Sequence, residues 1–137
     1  MSRLFFGLTL WALSSIAHSQ VFDVPHSEEV PTRTLLIEAS KPRALVLLFP
    51  GGGGMAGISD NGMIRSKHTF IRSIALWAQY GIDAVLVDTP YDLGDLRRGN
   101  VRSRKDHLTR VDEVVTFYKN KFKPTYYQSR FSSKRSI

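Results

Sequence analysis

The segment with the most chemical capacity in this chain is Phe49-Pro50-Gly51-Gly52-Gly53-Gly54-Met55-Ala56-Gly57. Glycines just beyond a buried strand let the backbone approach a ligand closely and turn N–H groups toward negative charge. Such a loop serves as a phosphate cradle at a helix N-terminus, as an oxyanion hole for acyl transfer, or simply as a turn with no ligand. The spacing argues against a P-loop, because Ile58 and Ser59 follow Gly57 where a lysine and a hydroxyl residue are required. A dinucleotide fingerprint would open a helix directly after the glycines, whereas Ile58-Ser59-Asp60-Asn61-Gly62 reads as more loop. A small anion such as a carboxylate or phosphate, held by the Gly51–Gly54 loop of a non-catalytic binding module, stays open as an alternative.

The other reactive side chains form no complete constellation. With no cysteine there is no thiol nucleophile and no thiolate metal site. A serine nucleophile of the hydrolase type sits on a sharp Gly-x-Ser-x-Gly turn and is followed by an acid and a histidine. Gly57-Ile58-Ser59-Asp60-Asn61-Gly62 is the nearest imitation and is one residue too long. None of His18, His26, His68 and His107 follows a serine and an acid in that order, and Asp106-His107 reads as a solvated first-turn pair. No His-x-x-x-His or Glu-x-x-His spacing suggests a metal site. The expectation is no catalytic residue, no metal and no cofactor.

The elements that must hold the loop are legible around it. Ala44 to Phe49 is an apolar run without alternation, as in a strand buried on both faces, and Asp83 to Asp88 is a second. Between them, Phe70, Ile71, Ile74, Ala75, Trp77 and Ala78 recur at helical spacing within Ser66–Tyr80, and Gly81 supplies the stop. Strand, helix, strand predicts a parallel pair with a right-handed crossover. Thr34 to Ala39 reads as an edge strand. Ser103–Phe122 reads as a second amphipathic helix, capped by Ser103 with Asp106 three residues on. The fold class is therefore α/β, a partial parallel sheet in a three-layer arrangement that is truncated after the second crossover helix.

Leu47-Leu48-Phe49-Pro50 with the glycines that follow resembles the oxyanion-loop strand of the α/β-hydrolase family, which carries a His-Gly-Gly-Gly-type loop there; Pro50 stands in place of the histidine. The helix after it, the strand ending Val87-Asp88-Thr89-Pro90, and Ser103–Phe122 match that family's early crossovers, so the resemblance covers about residues 35–123. It implies oxyanion-type backbone donors at Gly51, Gly52 and Gly53, Gly52 foremost, and a small-molecule ester or amide substrate in a full-length relative. Pro50 has no N–H and only shapes the turn. Because no triad accompanies the loop, the 137-residue chain is expected to be an inactive fragment of an acyl-hydrolase relative, exposing unpaired sheet edges.

The formal charge of +7 resides in the chain ends. Residues 119–137 hold Lys119, Lys121, Lys123, Arg130, Lys134 and Arg135 and no acid, whereas in residues 20–118 bases and acids balance. A neutral body is a poor phosphate-tracking surface, so no nucleic acid partner is expected. Arg97, Arg98, Arg102, Arg104 and Lys105, interleaved with Asp92, Asp95 and Asp106, read as a solvated loop leading into a helix. At the other end, Arg3, the apolar run Leu4–Leu13 and the small residues Ala17 and Ser19 before Gln20 have the order of a secretory signal peptide. The apolar run is about half of the roughly 20 residues needed to span a bilayer. These features divide the chain into a signal peptide over 1–19, a partial hydrolase-like domain over 20–123, and an irregular basic tail over 124–137. A periplasmic or secreted destination follows, with no stable membrane insertion after the signal is removed.

Overall fold

The computed structural model describes residues 18–132, with side chains through Phe122. Strand β1 (His18–His26) and strand β2 (Glu29–Glu38) form an antiparallel hairpin whose turn places Ser27 at φ 46°. The ladder is irregular between Val24 and His26, where Pro25 has no N–H to donate. Strand β3 (Ala44–Leu48) leads through the glycine loop to helices α1 (Thr69–Arg72) and α2 (Ile74–Gln79), and strand β4 (Ile82–Val87) follows. A short 3₁₀ turn, Val101–Ser103, precedes helix α3 (Lys105–Ser132). β1 starts two residues before Gln20, pairing His18 with Glu38; most of the leader-like segment, residues 1–17, lies outside the described residues, as do residues 133–137.

The strand–helix–strand unit is present as expected: β3 and β4 are parallel, with Val46 opposite Ala84 and Leu48 opposite Leu86. The sheet as a whole is mixed rather than parallel, in the order β1-β2-β4-β3, because β2 runs antiparallel to both neighbours. A two-residue connection permits only an antiparallel hairpin, so β2 reverses direction before the crossover unit begins. β2 is also interior, not an edge: Thr34, Leu35 and Leu36 are at most 3% exposed. The outer strands are β1 and β3, and the run expected to be buried on both faces lies at the β3 edge, where Leu45, Val46 and Leu47 are only half-buried.

Alternation along the strands divides the apolar residues between two cores. Leu35, Ile37, Leu48, Ala84 and Leu86 pack with Ile71 and Ile74 of α1 and α2. On the other face Leu36, Val85, Val87 and Val24 pack with Val114, Tyr118 and Phe122 of α3. Helices thus cover both faces of the sheet. The expected single helix over Ser66–Tyr80 is broken at Ser73, whose hydroxyl bonds back to the Phe70 carbonyl at 2.6 Å, a local competition that bends helices.

Helix α3 also departs from expectation at both ends. Ser103 does not cap it; its hydroxyl donates to the Asn100 carbonyl inside the 3₁₀ turn, and the first helical bond runs from Leu108 N–H to Arg104 O. The helix then continues past Lys123 to Ser132, over residues expected to be irregular. Pro124 removes one donor, but Thr125–Ser132 contains no glycine to favour another backbone geometry. Among the described residues no helix is long and apolar enough to cross a membrane.

Tyr118 ties α3 to the sheet. Its hydroxyl lies 2.6 Å from Thr34 Oγ1, which in turn donates to the Phe22 carbonyl at 3.1 Å. Burial pushes the Tyr118 hydroxyl up from 10.0 to about 12, against a lowering by the Thr34 bond. The neutral phenol is therefore favoured in the folded state, so this contribution to stability is complete below pH 10 and is lost as pH rises through about 12. Urea unfolding between pH 9 and pH 12 is expected to show a steeper loss for the native chain than for Tyr118→Phe; parallel pH profiles would contradict the assignment.

Candidate functional site

β3 and β4 run parallel, so their carboxyl ends open on the same rim, and in α/β sheets ligands bind beyond those ends. From β3 the chain passes through Phe49 and Pro50 into the glycine loop; from β4 it passes into Asp88-Thr89-Pro90. Asp88 joins the two. Its Oδ1 accepts from the backbone N–H of Ala56 at 2.7 Å and of Thr89 at 2.9 Å, and its Oδ2 accepts from Ile58 N–H at 2.9 Å. This carboxylate is committed to shaping the loop, which leaves it unsuited to act as a base toward substrate.

The loop itself is a tight turn, with Gly54 N–H donating to Gly51 O at 3.0 Å. Gly54 is the position that only glycine fits: φ is +80°, and a Cβ would lie 2.3 Å from Thr89 Oγ1 and 2.4 Å from Leu96 Cδ1. Around the turn the carbonyls are occupied. Thr89 Oγ1 donates to Gly54 O at 2.8 Å, Leu96 N–H donates to Gly53 O at 3.2 Å, and Arg102 Nη2 donates to Gly52 O at 2.6 Å. The N–H groups before Gly54 are not. Among the described residues no acceptor meets the N–H of Gly51, Gly52 or Gly53, and Gly51 and Gly52 are exposed. With its carbonyls held and its donors free, the turn is polarised toward an incoming negative oxygen. Asp95 lies behind Gly53, but the side chain and backbone N–H of Arg97 hold its carboxyl at about 2, so the pair is close to neutral toward the loop.

Beside the loop is a cavity of about 250 Å³. Its walls are mainly apolar, including Phe49, Val87, Leu93, Leu96 and Val111, and its polar groups include Thr32, Arg102, His107 and Arg110. No family model, curated protein or solved structure matches the chain. The site therefore rests on its own geometry.

All three expected donors, Gly51, Gly52 and Gly53, stand together at the rim. The remaining sequence candidates do not converge there. Ser59 bonds with Asn61 and Met63 within its own loop, and His26 pairs with Glu113 of α3 at 2.8 Å. Among the described residues no serine or threonine hydroxyl is bonded to a histidine ring; Ser66 Oγ accepts only from the His68 backbone N–H, at 3.4 Å. Nor is any group of three or more His, Asp or Glu side chains placed to hold a metal ion.

Several residues at the site were not legible as such. His107 is not simply a solvated partner of Asp106, whose side chain pairs with Arg104; its ring lines the cavity, with Nδ1 3.0 Å from the Arg102 carbonyl. Arg102, expected on a solvated loop, reaches back to the glycine turn. Arg110 is 3% exposed, which a helical position amid polar neighbours did not suggest. For Asp88 a signal existed: an acid at the end of a buried strand must find donors.

Proposed function

We propose that the chain is an exported α/β-hydrolase-like protein that contributes the oxyanion-loop strand of an acyl-hydrolase centre and has no catalytic triad of its own among the described residues. The observation that carries this reading is the set of unpaired N–H groups at Gly51, Gly52 and Gly53, on the loop between the third strand and the first helix. That connection is where α/β-hydrolases keep one oxyanion donor, the other coming from the residue after the nucleophile. The export reading rests on the leader-like order of residues 1–19. The outer edge of β3, unpaired among the described residues, is consistent with the same reading, since a nucleophile-bearing strand would have to dock beside β3 to bring its serine to these donors.

The same free donors support a second reading, a binding module for a small anion, and one experiment addresses both. The chain is mixed with p-nitrophenyl acetate, and its amide spectrum is followed during an acetate titration. The expected result is no turnover above buffer, with acetate shifting the Gly52 and Gly53 amide signals and leaving Gly54, already bonded to Gly51 O, in place. Turnover that survives replacement of every serine in 125–137 but is abolished by Gly52→Val would show that the loop already has its nucleophile. Glycine amides indifferent to acetate would remove the receptor role and both readings with it.

A further inference from the structure

Arg97, Arg104 and Arg110 each pair with a carboxylate, that of Asp95, Asp106 and Asp92 respectively. Arg102, on the 3₁₀ turn Val101–Ser103, does not. Among the described residues its guanidinium is bonded only to backbone oxygens of the glycine loop: Nη2 donates to Gly52 O at 2.6 Å and, more weakly, to Pro50 O at 3.4 Å. A guanidinium is never deprotonated in a protein. A full positive charge with no ion-pair partner among the described residues therefore rests on the loop.

The two carbonyls it holds are not arbitrary ones. Gly52 C=O and Gly53 N–H are the two ends of one peptide group, and Pro50 C=O and Gly51 N–H are the ends of another. Both peptides are trans, so each N–H points away from the carbonyl that Arg102 holds. The cation thus lies behind the turn, and the donor side is left open. Drawing electron density toward the carbonyl oxygen makes the N–H of the same peptide a stronger donor. The intervening peptides are held by neutral donors instead: Gly51 O accepts from Gly54 N–H at 3.0 Å, and Gly53 O accepts from Leu96 N–H at 3.2 Å.

We propose that Arg102 is the positioning residue of the glycine turn: it acts through the Gly52–Gly53 and Pro50–Gly51 peptides to strengthen the Gly53 and Gly51 N–H groups toward an oxygen with full or developing negative charge. The inference rests on the reading of this turn as an oxygen receptor and adds the group that charges it. Arg102 is exposed, as is Gly52, so water can solvate the Gly52 carbonyl when the side chain is removed. The bond from His107 Nδ1 goes to the Arg102 backbone carbonyl and survives any substitution there.

The test uses the full chain, its amide spectrum and acetate. In the ligand-free Arg102→Met variant the Gly53 amide nitrogen should shift most and that of Gly51 less, with Gly52 and Gly54 nearly unmoved. A merely structural disturbance would not follow this alternation. Acetate affinity, read from the Gly52 and Gly53 amides, should fall about fivefold in Arg102→Met. Arg102→Lys should recover most of it, because one nitrogen makes both bonds and an ammonium keeps the charge. The native affinity should also decline more steeply with added sodium chloride than that of Arg102→Met. Unchanged acetate affinity in Arg102→Met, no recovery in Arg102→Lys, or a uniform shift across Gly51 to Gly54 would each overturn the role of Arg102 while leaving the receptor reading in place. Failure of the receptor reading shows differently, as native glycine amides indifferent to acetate, and takes this role with it.

Discussion

Gly54→Ala is expected to destabilise the chain by about 3–4 kcal/mol, the sum of left-handed strain and overpacking. The backbone at Gly54 sits at φ +80°, where a Cβ crowds the following carbonyl. The new methyl would also fall 2.3 Å from Thr89 Oγ1 and 2.4 Å from Leu96 Cδ1. Thr89 cannot retreat without giving up its bond to Gly54 O, and Leu96 N–H holds the adjacent Gly53 carbonyl. Gly52→Ala is the control. Its φ is +58° but a Cβ there meets nothing within 4 Å, so only strain of about 1–2 kcal/mol is expected. Urea midpoints of the two variants separate packing from conformation. Equal shifts would mean that Gly54 is not wedged between Thr89 and Leu96.

Removing the Asp88 carboxylate should have an effect of similar size by another route. Asp88→Ala leaves the N–H groups of Ala56, Ile58 and Thr89 without their acceptor. Hydrogen bonds to a charged group contribute about 1.5–3 kcal/mol each, though solvent reaching the half-buried site recovers part, so about 3–5 kcal/mol is expected. Asp88→Asn keeps one acceptor oxygen but turns an NH₂ toward the other donors, and should lie between the native chain and Asp88→Ala. Hydrogen exchange supplies the specific readout: the amides of Ala56 and Ile58 should lose protection before those of β2 and β4. A variant whose glycine loop stays protected would show that Asp88 does not anchor it.

The crossover unit and the glycine loop were legible because their signals are contiguous. An unbroken apolar run, a helical period and a run of glycines each depend on neighbours in the chain, and β3, β4 and the rim position of Gly51–Gly53 appear where those signals lie. Helix ends were less legible. At Ser73 a hydroxyl returning to Phe70 O and at Ser103 one returning to Asn100 O divert the backbone from the simplest periodic reading. Both residues can cap, turn or back-bond, and composition does not choose among these.

From residue types alone came the mixed α and β content, the parallel β3–β4 pair, the neutral body between charged ends, and a loop able to offer backbone donors. Tertiary structure decided the placement of β2 inside the sheet and β3 at its edge, and assembled the site around the loop. The physical reason is sequence separation. Asp88 meets Ala56 across 32 residues, Arg102 meets Gly52 across 50, and Arg110 meets Val30 across 80. No local pattern records such pairings; they exist only once two apolar faces of one sheet have each been covered by a helix.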